Sequence, residues 1–257
     1  MLRALPIALV LGLVAITTAA FLRTETLKAT RAPIWRPDFE RSAFAPTCSC
    51  PTRLAQVSFG VRRRDPVGVH VIDEAGMVVR DLGRLPPEAL TVQVAWDGRR
   101  DDGALAPDGT YRLRVALPSR RKIDMPNRLV LDTRAPQVQA RLSRRDLWPE
   151  RAGAGDGRGD VIYAFWRSDE QLVSPSPEQQ YLDETRLQLA GPGGLRLRIV
   201  AGRRRKAYTL GWRGRLPGGR AVPEGAYALT LHAYDRAGNE TTVALGDVQV
   251  RYGKAPR

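Results

Sequence analysis

Four aspartates within twelve residues are the best candidates in the chain for a small-ligand or metal site. Carboxylate oxygens are the ligands that a hard cation such as Ca²⁺ prefers. The spacing differs from that of an EF-hand loop, and Arg99 and Arg100 lie among the acids, so we expect a solvated turn and no metal site. The four residues are Asp97, Asp101, Asp102 and Asp108.

Cys48 and Cys50 are the two cysteines of the chain. In an oxidising compartment they could close a small disulfide ring that holds the N-terminal segment against the first domain. Metal binding would need further ligands, and the two histidines, His70 and His232, alternate with apolar residues and are expected to be exposed and unpaired. We therefore favour a structural disulfide, with redox chemistry and metal binding as the alternatives.

Basic residues, most of them arginines, give the chain a net charge of +14. Three clusters lie at predicted strand ends or loops, where they would form a track for an anionic polymer if they met on one edge. The alternatives are solvated loops and the arginine-rich, lysine-poor composition that GC-rich codons give. Because no RNA- or DNA-binding motif accompanies them, nucleic acid is not an expected partner. The candidate contacts are Arg62, Arg63, Arg64, Arg120, Arg121, Lys122, Arg203, Arg204, Arg205 and Lys206.

Motifs for catalysis are missing from the sequence. It contains no G-x-S-x-G or H-E-x-x-H, and the glycine-rich segment 153–160 lacks both the third glycine of G-x-G-x-x-G and the lysine of a phosphate-binding loop. We therefore predict no catalytic, cofactor-binding or metal-binding residue and no cofactor. A glycan-acting enzyme stays as an alternative, because two carboxylates about 5–10 Å apart could meet in three dimensions.

Five residues recur with identical spacing in two sixteen-residue segments that are 116 positions apart. Each tryptophan ends a run of alternating apolar residues, so it is expected to lie between two sheets. The first glycine allows a sharp turn, the Pro-x-Gly sequence forms a second turn, and the tyrosine enters the next strand beside the tryptophan. The first set is Trp96, Gly98, Pro107, Gly109 and Tyr111, and the second is Trp212, Gly214, Pro223, Gly225 and Tyr227.

Short alternating runs, such as residues 67–71 and 185–189, surround both segments. About seven strands per domain, with turns every 8–12 residues, are typical of an immunoglobulin-like β-sandwich. The predicted fold is therefore all-β, with two tandem sandwiches behind an N-terminal transmembrane helix. The predicted ranges are 53–135 for the first sandwich, 136–252 for the second, which carries loop insertions, and 253–257 for a tail.

The N-terminal segment is apolar, since residues 4–22 carry no charge. Nineteen apolar residues just suffice to cross a bilayer, so an uncleaved anchor over residues 1–23 is favoured over a cleaved signal peptide. Basic residues after the span argue against export by the positive-inside rule, but we still expect an extracytoplasmic body. Residues 24–52 are predicted to form an extended stalk, in which Trp35 and Phe39 could dock on the first sandwich.

The segments VHVIDEAGMVVRDL and VAWDGRRDDGALAPDGTYRLRV resemble the FlgD-type immunoglobulin-like module. Residues 57–117 match its pattern well, whereas residues 185–235 are similar but weaker, because Arg213 stands where Asp97 stood. The resemblance implies a β-sandwich used in extracytoplasmic assembly or binding. It does not imply capping of the flagellar hook, because the N-terminal region of hook-assembly proteins is replaced here by the predicted anchor.

These observations favour a non-enzymatic, membrane-anchored protein for envelope assembly, adhesion or protein–protein interaction. Its expected partners are the membrane, through residues 4–22, and an envelope protein or an anionic wall polymer. The first alternative is a module that binds anionic wall polymers through the arginine-rich loops, and the second is the glycan-acting enzyme.

Overall fold

The N-terminal apolar segment is helical over residues 12–22. Across the part of the chain that the structure describes, no helix is both long and apolar enough to cross a membrane. The structure, a computed structural model, describes residues 12–22, 33–149, 161–168, 182–201 and 209–253. Residues 4–11 of the predicted span, residues 153–160 and the basic cluster at 203–206 lie outside these ranges.

The first nine strands of the described chain form one β-sandwich. They are β1 (Ile34–Phe39), β2 (Ala43–Phe44), β3 (Ala55–Val61), β4 (Val67–Ile72), β5 (Val78–Leu85), β6 (Thr91–Trp96), β7 (Gly109–Ala116), β8 (Lys122–Asp124) and β9 (Leu129–Leu131). One sheet has the order β1-β3-β6, and the other has the order β2-β9-β7-β4-β5 with β8 paired to β7. A three-residue 3-10 helix, Pro51–Arg53, leads into β3.

The remaining described strands form a second β-sandwich. They are β10 (Val138–Leu142), β11 (Asp146–Leu147), β12 (Ile162–Ser168), β13 (Glu184–Ala190), β14 (Arg196–Ala201), β15 (Thr209–Trp212), β16 (Gly225–Tyr234) and β17 (Glu240–Val250). One sheet has the order β10-β12-β15 and the other β11-β17-β16-β13-β14. A 3-10 helix, Pro192–Gly194, connects β13 to β14.

The two sandwiches have the same connectivity. Each begins with a strand in the smaller sheet, followed by a two-residue strand that pairs in parallel at the edge of the larger sheet. Their central ladders also agree, because Ala55 pairs with Trp96 in the first and Ile162 pairs with Trp212 in the second. Equivalent positions in the smaller sheets can therefore be assigned residue by residue.

Two separate clusters of buried apolar side chains form the cores. Trp96 is 1% exposed and lies in the first cluster, whereas Trp212 is 2% exposed and lies in the second. The alternating valines of β4, Val67, Val69 and Val71, all face the first core. Each sandwich thus buries its own apolar face, as a two-sheet architecture requires.

Residues 33–52, which the sequence assigned to a stalk, pack into the first sandwich. Ile34 pairs with Val61 and Phe39 with Val57, while Phe44 is buried in the core. Trp35 lies against the backbone of its ladder partner Gly60. The sandwich therefore begins at Ile34 and not at residue 53. Alternation of apolar and polar residues did not predict this strand, because β1 is an edge strand whose four central side chains are all exposed.

Candidate functional site

The first repeated segment forms a loop that is held by its own aromatic side chains. Trp96 Nε1 donates a hydrogen bond to the carbonyl of Arg99 at 2.8 Å, and the hydroxyl of Tyr111 donates to the carbonyl of Pro107 at 2.6 Å. The two rings are 4.9 Å apart between centroids. Gly98 has a φ of +74°, a conformation that favours glycine. The loop is thus fixed to the core at both ends.

The second segment repeats these contacts. Trp212 Nε1 donates to the carbonyl of Arg215 at 3.4 Å, the hydroxyl of Tyr227 donates to the carbonyl of Pro223 at 2.9 Å, and the rings are 5.1 Å apart. Burial raises the pKa of the Tyr227 phenol, as it does for the equivalent phenol in the first sandwich. The repeated spacing therefore specifies a structural loop, because the indole N–H of Trp212 and the hydroxyl of Tyr227 are already bonded to the loop backbone.

The four aspartates of the first loop also bond to the backbone. Asp97, Asp101 and Asp102 each accept a hydrogen bond from a main-chain N–H in the loop or in the neighbouring strand β5. Asp108 accepts from both the N–H and the hydroxyl of Thr133, at 2.9 Å each. These carboxylates thus stabilise turns, which is the arrangement expected for short polar side chains in loops.

Two of the three predicted basic clusters meet at one end of the first sandwich. The β3–β4 loop and the β7–β8 loop form the sides of a cavity of about 340 Å³. Three arginines from these loops line it: Arg62, Arg63 and Arg121. The remaining members, Arg64, Arg120 and Lys122, are exposed in the same loops or at the start of β8. Because three arginines line one cavity, this is the strongest candidate for binding an anionic group.

Apolar side chains also line this cavity. Val61, Val67 and Leu117 are among them, and Asp65 is the one acidic residue among the described lining residues. An anionic ligand would therefore meet both arginines and apolar side chains, a combination that is typical of ligand-binding pockets.

Cys48 and Cys50 form a disulfide, and their ring lies at the junction between the sandwiches. Cys50 Sγ is 2.9 Å from Thr52 Oγ1, which donates a hydrogen bond to the carbonyl of Ala237 in the second sandwich at 2.5 Å. A side chain on Gly238, whose φ is +98°, would collide with the ring and with Thr52. The ring therefore packs on the β16–β17 turn, a contact that the sequence did not indicate.

A buried polar network forms the other half of this junction. Asn239 Nδ2 donates to the carbonyl of Asp132 in the first sandwich at 2.9 Å and to Asp235 Oδ2 at 2.8 Å. Asp235 Oδ1 accepts from the backbone N–H groups of Gly238 and Asn239 at 2.7 and 2.9 Å. Burial raises the pKa of the Asp235 carboxyl, although these hydrogen bonds oppose the change. The junction is thus a specific, hydrogen-bonded interface.

A groove of about 610 Å³ runs along this junction. Its charged groups are mostly paired with each other: Arg41 lies 3.8 Å from Asp183 across the junction, and Arg186 bonds to Glu184. The Arg186 guanidinium also lies over the Tyr234 ring, 4.5 Å from its centroid. Because these charged groups are mostly paired with each other, they are typical of an interface between domains rather than of a binding site for a charged ligand.

The prediction that both histidines are exposed and unpaired is wrong. His70 Nδ1 lies 3.3 Å from Asp81 Oδ1, and His232 Nδ1 lies 2.5 Å from Glu240 Oε1. Both pairs bridge adjacent strands on the outer sheet face, where the imidazole is partly covered by its neighbours. For Glu240, burial raises the pKa, but the hydrogen bonds from His232 and Tyr234 outweigh it, so the net pKa is lowered.

Sequence reasoning missed the junction because its partners are far apart in the chain: Thr52 and Ala237 are separated by 185 positions. The available signal was the Asp-Arg-Ala-Gly-Asn turn at 235–239, which places polar residues between two apolar strands. Their burial shows that a turn of this composition can serve as a contact surface.

Residues 56–120 match the family described as the FlgD Ig-like domain. This range lies within the first sandwich, from β3 to the loop after β7, and covers well under half of the chain. Among curated proteins, no match to the chain was found.

Three solved structures are similar to the chain at low identity. Fibronectin(III)-like modules of Clostridium thermocellum CbhA are 14% identical, with 84% of this chain and 93% of that chain covered and a TM-score of 0.39. A tetra-tandem repeat from the extending region of a large adhesion protein is 12% identical, with 81% and 48% covered and a TM-score of 0.31. FlgD from P. aeruginosa is 20% identical, with 38% and 77% covered and a TM-score of 0.25. These scores are too low to carry an inference about function.

Proposed function

We propose that this chain is a non-enzymatic, membrane-anchored protein whose two β-sandwiches mediate protein–protein interaction outside the cytoplasm, in envelope assembly or adhesion. The observation that carries the proposal is architectural: two sandwiches of one topology are joined through a hydrogen-bonded junction. The match of residues 56–120 to the FlgD Ig-like domain supports it. A stiff pair of β-sandwiches presents extended surfaces for a partner without requiring any reactive group.

Membrane anchoring rests on the uncharged run of residues 4–22. The test is fractionation of cells that express the full chain, followed by washes with high salt and with alkaline carbonate. An integral anchor keeps the protein in the membrane pellet through both washes, because burial of the apolar helix does not depend on ionic strength. Recovery of the uncleaved chain in the salt wash would reject the anchor, and protease resistance of the body in intact spheroplasts would reject its extracytoplasmic orientation.

Protein–protein interaction is tested by photo-crosslinking in the native cells. A photoreactive residue is placed at Met77, which is 67% exposed on the first sandwich, and as a matched control at Leu113, which is fully buried. We expect Met77 and similar exposed positions to give discrete adducts with an envelope protein, while the buried position gives none. Failure of a scan over all exposed strand faces to give a protein adduct would overturn the proposal.

The cavity between the two basic loops favours a second candidate, a binding module for anionic wall polymers. Three arginines, Arg62, Arg63 and Arg121, line this cavity. The triple substitution of these arginines by glutamine should abolish salt-sensitive retention on a polyphosphate matrix, whereas Arg100→Gln, an exposed position in the loop after β6 at the opposite end of the first sandwich, should leave most of it. Retention that is insensitive to ionic strength, or equal loss in the control, would exclude this site.

A further inference from the structure

The outer face of the β10-β12-β15 sheet carries a cluster of aromatic and cationic side chains. Tyr163 and Phe165 are alternate residues of β12, and their ring centroids are 6.1 Å apart. The Arg141 guanidinium, from β10, lies over the Phe165 ring, 5.0 Å from its centroid. At the end of the row, the Arg167 guanidinium donates two hydrogen bonds to Gln139 Oε1. Rings, guanidinium groups and an amide thus form one continuous row.

This row is accessible. Tyr163 is 42% exposed, and its ring lies beside Gly211 of β15, which has no side chain to cover it. Next to Tyr163 along β12, the strands form a shallow groove of about 400 Å³, lined in part by Gln139, Phe165 and Arg167. The row therefore offers an exposed aromatic ring, that of Tyr163, beside a groove on the sheet.

The fold does not require these side chains. The shared ladders make Gln56 the equivalent of Tyr163 and Ser58 the equivalent of Phe165. Opposite Ser58 stands Asp38, at the position where Arg141 stands opposite Phe165 in the second sandwich. The first sandwich thus forms the same sheet with polar or acidic residues at all three positions, and its one exposed ring there, that of Trp35, stands at the position of Gln139. The difference points to a ligand of the second sandwich.

The chemistry of the row indicates an acidic polysaccharide. An exposed aromatic ring can stack on the apolar face of a sugar ring, and two rings along one strand can contact a linear chain at two places. Guanidinium groups bind carboxylates through paired hydrogen bonds, and an amide side chain bonds to hydroxyl groups. None of the three strands contains Asp or Glu, so no acidic side chain of the sheet competes for the arginines.

We propose that the outer face of the β10-β12-β15 sheet binds a linear polysaccharide that carries carboxylates, with Tyr163 and Phe165 as the stacking surface and Arg141 and Arg167 as the carboxylate contacts. This site lies on the second sandwich, in contrast to the Arg62, Arg63 and Arg121 cavity of the first. It goes beyond the proposed interaction role and does not depend on it.

The test is affinity electrophoresis of the full chain in detergent, through gels that contain polygalacturonate, alginate, hyaluronate, neutral dextran or polyphosphate. We expect the wild type to be retarded by at least one of the three uronate polymers and not by dextran. Tyr163→Ala should weaken that retardation about tenfold, as truncation of a central aromatic contact commonly does. Gln56→Ala, the matched position on the first sandwich, should change nothing.

Arg141→Gln provides a second variant, which keeps a polar side chain on the sheet while removing the charge. It should weaken binding to the uronate polymer and reduce its dependence on salt. Thermal unfolding and far-ultraviolet circular dichroism establish that each variant is folded. Binding to none of the uronate polymers, equal binding by folded Tyr163→Ala, or equal loss in Gln56→Ala would overturn the proposal. Retardation by polyphosphate that Tyr163→Ala leaves intact is assigned to the arginine cavity. If Tyr163→Ala also left retardation by the uronate polymers intact, the proposal for the second sandwich would be overturned.

Discussion

Over the described residues, the two sandwiches share their strand order up to the last strands but differ in what they expose and in how they end. In both, the loop after the tryptophan strand is fixed by the same pair of aromatic hydrogen bonds. The larger sheet, by contrast, closes with two short strands, β8 and β9, in the first sandwich and with one unbroken strand, β17, in the second. The comparison indicates that a few core and turn residues specify this topology, whereas the edge strands and the outer sheet faces differ between the two sandwiches.

A second difference lies at the N-terminal edge of each larger sheet. Phe44 of β2 contacts the Trp96 ring, at a centroid distance of 5.3 Å, whereas Leu147 of β11 occupies the corresponding position in the second core. Trp96 therefore packs against two aromatic rings, those of Phe44 and Tyr111, whereas Trp212 packs against one, that of Tyr227. Packing of aromatic pairs adds to the free energy gained from burial alone, so the first tryptophan is expected to contribute more.

The largest test of this comparison is removal of each tryptophan. Trp96→Ala should lower the free energy of unfolding of the first sandwich by about 3–5 kcal/mol, because a large buried ring leaves a cavity. Trp212→Ala should lower that of the second by an amount near the low end of this range, since it packs on one ring instead of two. Denaturant-dependent hydrogen exchange, resolved by peptide, measures the two sandwiches separately.

Each tryptophan substitution should act mainly on its own sandwich, because the cores are separate clusters. Exchange that accelerates equally in both sandwiches after either substitution would show that they unfold as one unit, and the description as two independent cores would then be wrong.

The junction is tested next, by Asn239→Ala. This change leaves the buried carbonyl of Asp132 and one oxygen of Asp235 without their partner, which should cost about 1–3 kcal/mol. We expect faster hydrogen exchange on both sides of the junction while the two cores keep their protection. Asn127→Ala, in the β8–β9 loop, is the matched control and should leave the junction unchanged. Slower exchange, or an effect confined to the second sandwich, would contradict the role assigned to Asn239.

A smaller effect is expected from the disulfide, which the first sandwich contributes to the junction. Replacement of both Cys48 and Cys50 by serine should destabilise that sandwich by about 1–2 kcal/mol, because so short a ring restrains the unfolded chain only modestly. Exchange at residues 237–239 of the second sandwich should rise with it, since the ring packs on that turn. Ser49→Ala, which keeps the ring, should have neither effect. Unchanged protection at the turn would show that the ring does not support the junction.

The smallest expected effect is the dependence of the junction on pH. The pKa of Asp235 is raised in the folded protein, mainly by burial, so the folded state binds a proton more tightly than the unfolded state. Its contribution to stability therefore grows as the pH falls from above the raised pKa to the usual value of about 3.9. Asp235→Asn removes this contribution.

The measurement is the difference in unfolding free energy between the wild type and Asp235→Asn over this pH range. A difference is needed because Glu240, whose pKa is lowered, contributes stability above its usual pKa that is lost as the pH falls through its folded pKa. We expect the difference to move in favour of the wild type towards acid. A change in the opposite direction would mean that Asp235 is better stabilised as an anion than its burial suggests.

Much of the fold could be predicted from the sequence, because the residues that determine it act locally. The alternating valines of β4 and the Trp-x-Gly and Pro-x-Gly-x-Tyr spacings each specify one strand or turn, and the structure contains each of them. Strand β1 could not be predicted in this way. It is an edge strand whose central residues are exposed and do not alternate, so its pairing depends on β3 rather than on any pattern of its own.

The candidate sites were less predictable, because each depends on contacts between distant residues. The basic loops at 62–64 and 120–122 were recognised, but only the pairing of β4 with β7 brings them to one end of a sheet. The run 161–166 is apolar in sequence, yet Tyr163 and Phe165 point away from the core that buries Ile162 and Trp166. Hydrophobicity alone does not distinguish a buried ring from an exposed one.

The position of the disulfide ring has a consequence for the order of events during biosynthesis. Cys48 and Cys50 are translated early, whereas the turn on which their ring packs, residues 237–239, is translated close to the end of the chain. Since domains fold in the order in which they are made, the first sandwich can fold before the turn that packs on Cys48 and Cys50 exists. Docking of the C-terminal domain is thus the last step, and it leaves both cysteines half-buried on the wall of the junction groove.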